Sequence, residues 1–471
     1  MGESRKACVV GAGPNGLAAA IVLADAGFTA DVFEAQPDPG GAARTMELTL
    51  PGFLHDFGSA VHPLGVGSPF FSKLPLERCG LEWIHSPAPL AHPLDDGTSV
   101  ILERNLDHAV SSLASDGRAW YNLLHPFVEH WDEFANDVLR PIPSIPKHPF
   151  LMARFGASAF LSARAISRRF RNHRTRALLA GIAAHSFLRL DEALSGAFAI
   201  LLSAAAHAVG WPIPRGGSKS IATALCTHLS TLGGRVFTSS PIEDVDALHG
   251  YEMILCDVTP KQLLAIAPQR LSESYKVQLK RFRYGPGVFK VDYALSAPIP
   301  WKAADCALAA TVHLGGSFEE IAASEAAARN GQYGERPFVL LVQPSLFDPS
   351  RAPQGKHTAW AYCHVPHRSA VNLLPRIENQ IERFAPGFRE IVLARHVLAP
   401  ASLERMDANL VGGDIGGGML DLHQFLFRPT WRHYATSDRN LFICSSSTPP
   451  GAGVHGMCGY HAARMALRIL T

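Results

Sequence analysis

Glycines at positions 11, 13 and 16 form a G-x-G-x-x-G, Gly11-Ala12-Gly13-Pro14-Asn15-Gly16, and an acid, Glu34, stands 18 positions after Gly16 (34 − 16). These residue types at this spacing suit the diphosphate and ribose of a dinucleotide. Gly11 permits a tight turn, Gly13 lets a pyrophosphate approach the backbone, and Gly16 lets a helix pack closely on a strand. Pro14 and Asn15 lie at the start of that helix, whose free N–H groups and positive dipole end receive an anion. Glu34 can accept from ribose hydroxyls, and an acid there argues against the 2′-phosphate of NADP.

The elements that must position these residues are legible around them. Ala7-Cys8-Val9-Val10 reads as a short buried strand, Leu17 to Asp25 as an Ala-rich helix ended by Gly27, and Ala30 to Phe33 as a second strand closing on Glu34. This is a complete βαβ unit, which by itself does not separate NAD from FAD.

Two further stretches extend the site. Gly40-Gly41-Ala42-Ala43-Arg44 adds a second place for close backbone approach at Gly41 and Ala42, with Arg44 able to donate to a phosphate oxygen. At the far end, Asn440 to Cys444 reads as a strand, followed by a glycine-rich turn containing Ser445, Gly453, Val454, His455 and Met457, and by a helix from Tyr460 to Leu470. That helix start, aimed at the pyrimidine edge of a flavin, would stabilise the reduced anion by up to ~2 kcal/mol. In the middle, Gly233 to Thr238 and Pro241 to Val245 read as paired strands, and Tyr251 to Asp257 as another.

Together with Phe57-Gly58-Ser59-Ala60-Val61-His62-Pro63 and Gly412-Gly413-Asp414-Ile415, these motifs resemble those of the phytoene-desaturase-like FAD-dependent oxidoreductases. The likeness is strongest to relatives of pyridine nucleotide-disulphide oxidoreductase domain-containing protein 2. It is good at both ends of the chain and looser in the middle. It implies FAD as cofactor, with Ser59, Ala60, Val61 and His62 reaching the flavin ring and the backbone of Ile242 meeting the adenine. Ser445 departs from the pattern, standing where many relatives carry glycine beside the pyrophosphate. No Cys-x-x-Cys pair is present, so dithiol chemistry is not expected.

The implied fold class is α/β, in the two-domain α+β form: a Rossmann-type FAD-binding domain with a mixed sheet and helical substrate domain, of the amine-oxidase and phytoene-desaturase type. The FAD domain is expected to be discontinuous, over 1–75, 212–275 and 405–471, with the substrate or cap domain over 76–211 and 276–404.

Hydrophobic residues make up 47% of the 471 residues and charged ones 18%, enough for large cores, and the formal net charge of +2 gives no field for nucleic acid. No His-Glu-x-x-His metal site or Gly-x-Ser-x-Gly elbow occurs. The run Ala193 to Val209 is too short for a membrane span and reads as a buried helix. With no secretory signal, a cytoplasmic protein is expected. Phe150 to Leu161 is apolar and is followed by Arg164, Arg168, Arg169, Arg171, Arg174 and Arg176. This reads either as a peripheral membrane contact or as a solvated basic face.

An apolar insert over a flavin suits a hydrophobic small-molecule substrate, although an ordinary core has the same composition. No catalytic constellation stands out. His62 and His455 are the candidates for acid or base work, against a positioning hydrogen bond for each. The expected reaction is hydride removal from a C–H bond onto FAD, with oxygen, a quinone or another carrier as electron acceptor. The alternatives are redox-neutral polyene isomerisation on reduced FAD, and a flavin-bearing interaction protein without turnover.

Overall fold

Four consecutive apolar residues, Ala7 to Val10, have no polar face to offer water, so the first strand belongs inside a sheet covered on both sides. The computed structural model describes residues 5–470 and places Lys6–Val10 at the centre of a five-stranded parallel sheet. Its order is Leu441–Ile443, Met253–Cys256, Lys6–Val10, Thr29–Phe33 and Arg235–Phe237. Strands more than 400 positions apart in the chain thus share one sheet, two places apart, with Met253–Cys256 between them.

The first helix, Pro14–Asp25, lies against the closing helix, Met457–Leu470, and against Lys219–Thr231. Contact between the first two is very close. A Cβ on Gly459 would lie 1.7 Å from the carbonyl oxygen of Asn15, so only glycine fits the crossing. The closing helix begins at Met457, three residues before the expected Tyr460. The expected strand over Pro241 to Val245 does not form. Pro241 lacks an N–H for a ladder, and Asp244 accepts from the Asp246 N–H to start a 3₁₀ turn instead.

A second, seven-stranded sheet has the order Val392–Leu398, Gly287–Leu295, His357–Val365, Val339–Val342, Ala309–Leu314, Ala88–Pro93 and Ser99–Leu102. It is antiparallel except where Ala309–Leu314 runs alongside Ala88–Pro93. Its two faces pack into different cores. Phe289, Val291 and Tyr293 share one with helix Leu374–Phe384. Leu340, Val342, Trp360 and Tyr362 share the other with the helices between 117 and 208. The run expected to be a buried helix is Ser195–Ala208. No helix among the described residues is long and apolar enough to cross a membrane.

Candidate functional site

Parallel strands leave their binding crevice at their carboxyl ends, where consecutive strands connect to helices on opposite faces. A cavity of about 330 Å³ opens there and continues to the second sheet, a size in the range of roughly 300–1,000 Å³ typical of ligand pockets. Its first wall is made of Gly13, Pro14 and Asn15, of Gly41 and Ala42, and of Gly453 and Val454. Gly13 has φ −69° and ψ 169°, extended backbone open to any residue. Glycine is needed there for space: a Cβ would stand 2.7 Å from Asp257 Oδ2. Two buried polar atoms on this wall, Asn15 Oδ1 and Ser59 Oγ, have no partner in the protein. A narrow glycine cradle with orphaned polar atoms suits a polar, elongated ligand such as a dinucleotide.

Ser59, Ala60, Val61 and His62 line the next stretch. The imidazole of His62 is held by Ser218 (Nε2 to Oγ, 2.8 Å), whose hydroxyl donates to the Ser59 carbonyl. With the hydroxyl proton so engaged, His62 Nε2–H is the donor in the first bond. Burial pushes the His62 pKa down to about 4, only partly offset by Asp56, so the ring is neutral at pH 7.

Eight of the expected binding residues stand behind the cavity wall and not on it. Gly11 sits at φ +101° in the turn, and Gly16 lets the Gly11 carbonyl come where a Cβ would be 2.1 Å away. Glu34 spends its oxygens on the backbone N–H groups of Ala12 (2.7 Å) and Gln36 (2.9 Å), bracing two turns. Arg44 is buried and donates to the carbonyls of Gly41 and Met406, both at 2.8 Å, so it shapes the Gly40-Gly41 turn from behind. Ile242 packs against the outer core of the parallel sheet. Ser445 accepts from the Ser447 N–H (3.2 Å), and its neighbour Ser446 lines the cavity in its place.

His455 is fully buried, and its Nδ1 accepts from the Met457 N–H (3.0 Å). It therefore occupies the first N–H of the closing helix. Met457 packs in the core. Burial drives the His455 pKa down to about 4. Of the two histidine candidates, only His62 reaches the cavity.

Several lining residues carried no motif. Asp257, at the end of strand Met253–Cys256, accepts from the Gly16 N–H (2.9 Å). Asn409 bridges to the same loop, accepting from Thr259 N–H and donating to the Asp257 carbonyl, both at 2.9 Å. Burial, with the nearby charges of Asp407 and Glu34, raises the Asp257 pKa to about 7. Burial likewise raises Asp407 and Asp414. The position of Asp257 at a strand's carboxyl end was a usable signal; Asn409 and Asp407 had none.

The far end of the cavity is apolar: Phe187, Phe198, Leu201, Leu202, Trp211, Leu340, Val342, Trp360 and Tyr362. Trp360 and Tyr362 stack on each other with ring centroids 5.5 Å apart. The polar lining groups there are Ser186, Thr311 and His185, and His185 shares a hydrogen bond with His313 (Nε2 to Nε2, 3.0 Å). Burial holds His185 down at about 3, so it too is uncharged. Buried Lys290 projects from this same face of the sheet, directly across from Tyr362, donating to Asp292 (2.5 Å) with the Trp360 ring 5.5 Å away, and does not line the cavity.

A parallel-sheet nucleotide cradle joined by one cavity to an apolar chamber on a second sheet gives the chain a fold of the amine-oxidase and phytoene-desaturase type. Residues 9–72 match the NAD(P)-binding Rossmann-like domain family. In particular, the chain is similar to pyridine nucleotide-disulfide oxidoreductase domain-containing protein 2 of Mus musculus, 25% identical over 98% of this chain and 93% of that one. It is also similar to the zeta-carotene-forming phytoene desaturase of Myxococcus xanthus, 26% identical over 96% and 91%. Among solved structures, an oxidoreductase from Methanosarcina mazei superposes with a TM-score of 0.67 at 18% identity, covering 98% and 100%. Putrescine oxidase bound to putrescine superposes at 0.59 with 16% identity, covering 99% of each chain.

Proposed function

We propose that this chain is an FAD-dependent oxidoreductase that takes hydride from a C–H bond of an uncharged, hydrophobic small molecule. The nucleotide is assigned to segments 1–75, 212–275 and 405–471, and the substrate to 76–211 and 276–404. One observation carries the reading: a single cavity runs from the Gly13 and Gly41 cradle to the aromatic and aliphatic side chains of Phe187, Leu201, Trp211 and Trp360, and its only carboxylates among the described residues, Asp257, Asp407 and Asp414, come from the loop after strand Met253–Cys256 and from the 407–414 segment.

FAD supplies the hydride-accepting chemistry when bound. The chain's own residues do the rest. Gly13 and Gly41 would admit the diphosphate; the Ser59 hydroxyl could donate to a ligand oxygen, and Asn15 Oδ1 could accept from a ligand hydroxyl. Phe187, Leu201, Trp211 and Trp360 exclude water from the reacting bond. The neutral rings of His62 and His185 give the chamber polarity without charge, which favours an uncharged substrate over an ammonium ion.

Purified protein reconstituted with FAD is expected to be yellow and to release unmodified FAD on acid treatment. Anaerobic mixing with polyenes and long-chain alcohols is expected to bleach the flavin band. A protein that takes up no FAD, or whose flavin responds only to charged amines, would sink the reading. Gly13→Val is expected to weaken FAD binding by at least ~100-fold, or ~3 kcal/mol, because its side chain enters the cradle. Titration of the apoprotein followed by flavin fluorescence measures this, and an affinity within threefold or so of the parent would refute the cradle assignment.

A further inference from the structure

Helix Pro149–Ala159 buries one side, Phe155, Ser158 and Ala159, and exposes the other. Phe150, Ala153, Arg154 and Ala157 fall on that outer side at helical spacing, with Phe160 following. Phe150 is 90% exposed and Phe160 60%, and Ile145 in the preceding loop is 88% exposed. The outer face of a helix on a water-soluble surface is ordinarily polar; this one has a single charged residue. The Ile145 loop is held in place. Asp137 accepts from the backbone N–H groups of Lys147 (2.9 Å) and His148 (2.8 Å) and from Arg140 (3.1 Å), so the apolar tip is presented by a fixed scaffold.

The charge around this face is one-sided. From Val138 to Leu190 there are ten Lys and Arg and no Asp or Glu, whereas the whole chain carries 43 and 41, so the remainder sums to −8 (33 − 41) against +10 here. Lys147 and Arg154 are exposed at the face itself. Arg169 reaches the same helix, donating to Ser158 Oγ (3.3 Å), and Arg168 is exposed beside it. Arg140, Arg174 and Arg189 pair with Asp137, Asp96 and Asp191, which leaves Lys147, Arg154, Arg168 and Arg169 around the face without an acid among the described residues. A protruding apolar face rimmed by these cations is complementary to an anionic lipid surface, with apolar side chains entering the acyl boundary and basic ones meeting head groups. A protein partner would need its own compensating acid, and a second copy of this face would bring like charges together.

We propose that residues 145–161 dock this protein on the surface of an anionic membrane. The helix packs on Ser195–Ala208, whose Phe198, Leu201 and Leu202 line the cavity, so docking turns the wall of the apolar chamber towards the bilayer. The proposal goes beyond the FAD reading and is read without turnover.

The test is co-sedimentation of the holoprotein with vesicles of phosphatidylcholine containing about 30% phosphatidylserine, at low salt, against phosphatidylcholine alone. The parent protein is expected in the pellet with the anionic vesicles and at least about tenfold less with the neutral ones. Ile145→Ser with Phe150→Ser and Phe160→Ser, all at exposed positions, is expected to lower binding by at least about tenfold with flavin content unchanged. Lys147→Ala with Arg154→Ala and Arg168→Ala is expected to remove the preference for anionic lipid. A parent protein that stays in the supernatant, or a serine variant that binds as well as the parent, overturns the proposal. So does a parent dimer, seen by light scattering, that the serine variant converts to monomer while neither binds vesicles. None of these results touches the FAD assignment.

Discussion

Replacing Arg351 by Met is expected to lower stability by about 3–5 kcal/mol, out of a total that for most proteins is only ~5–15 kcal/mol. Arg351 and Asp56 are both fully buried and meet at 2.7 Å. The Asp56 carboxylate also accepts from the Ser218 N–H (2.8 Å) and the Thr45 hydroxyl (2.7 Å). Burial alone would push its pKa up; Arg351 and these donors outweigh that and hold it below the usual carboxylate value. Without the guanidinium, an uncompensated charge stays in the interior, at the junction of the 54–62 segment, the 214–218 loop and the second sheet's 344–351 connection. The same loop carries Ser218, which positions His62, so FAD affinity should fall along with stability. Urea titration gives the first effect and flavin fluorescence the second. Adding Asp56→Asn to Arg351→Met should recover part of the loss, since the buried charge is then removed together with its partner. A single Arg351→Met variant within ~0.5 kcal/mol of the parent, the range of a surface change, would show that the pair carries no such weight.

Acidification is expected to have the second large effect. His55, His62, His92, His207, His455 and His461 are all lowered by burial from the ordinary 6.5 to about 4. Geometry supports two of these independently. His207 Nε2 accepts from the Trp120 indole N–H (2.9 Å), and His455 Nδ1 accepts from the Met457 N–H, so a proton on either nitrogen breaks a bond. Between pH 6.5 and 4 the unfolded chain takes up protons at these rings and the folded chain does not. Stability is therefore full above pH 6.5 and falls as pH falls through that window. At about pH 5 each ring opposes folding by ~2 kcal/mol, and several together rival the whole stability of the fold.

Asp257, raised to about 7, acts in the opposite direction: the folded chain is the better proton binder between pH 3.8 and 7, so its share of stability falls as pH rises. Asp407 and Asp414, raised by burial, have the same sign. They offset a minority of the histidine effect. The urea midpoint should hold between pH 8 and 7 and drop steeply towards pH 5, with loss of far-UV circular dichroism near pH 4.5 or so. A midpoint that is level from pH 8 to pH 5 would show that these rings take up protons in the folded state.

Local rules decided as much of the fold as local physics reaches. The strand at Ala7 to Val10, the turn at Gly11 to Gly16 and strand Gly287–Leu295 follow from hydrophobic pattern and glycine placement, which act over a few residues. Gly13 and Gly41, which line the cavity, were legible for the same reason: the need for bare backbone is written in the residue type, whereas Ser59 to His62 were reached only through the family resemblance. What a side chain points at was not. Glu34, Arg44 and His455 have the right chemistry at the right spacing, yet each finds a nearer partner, in Ala12, Gly41 and Met457 respectively. A buried polar group bonds whatever folding brings within reach, and a linear pattern holds no such distances. Asp257, Asn409, Trp211 and Trp360 reach the cavity only because the strand order and helix crossings set by tertiary packing bring four distant segments together.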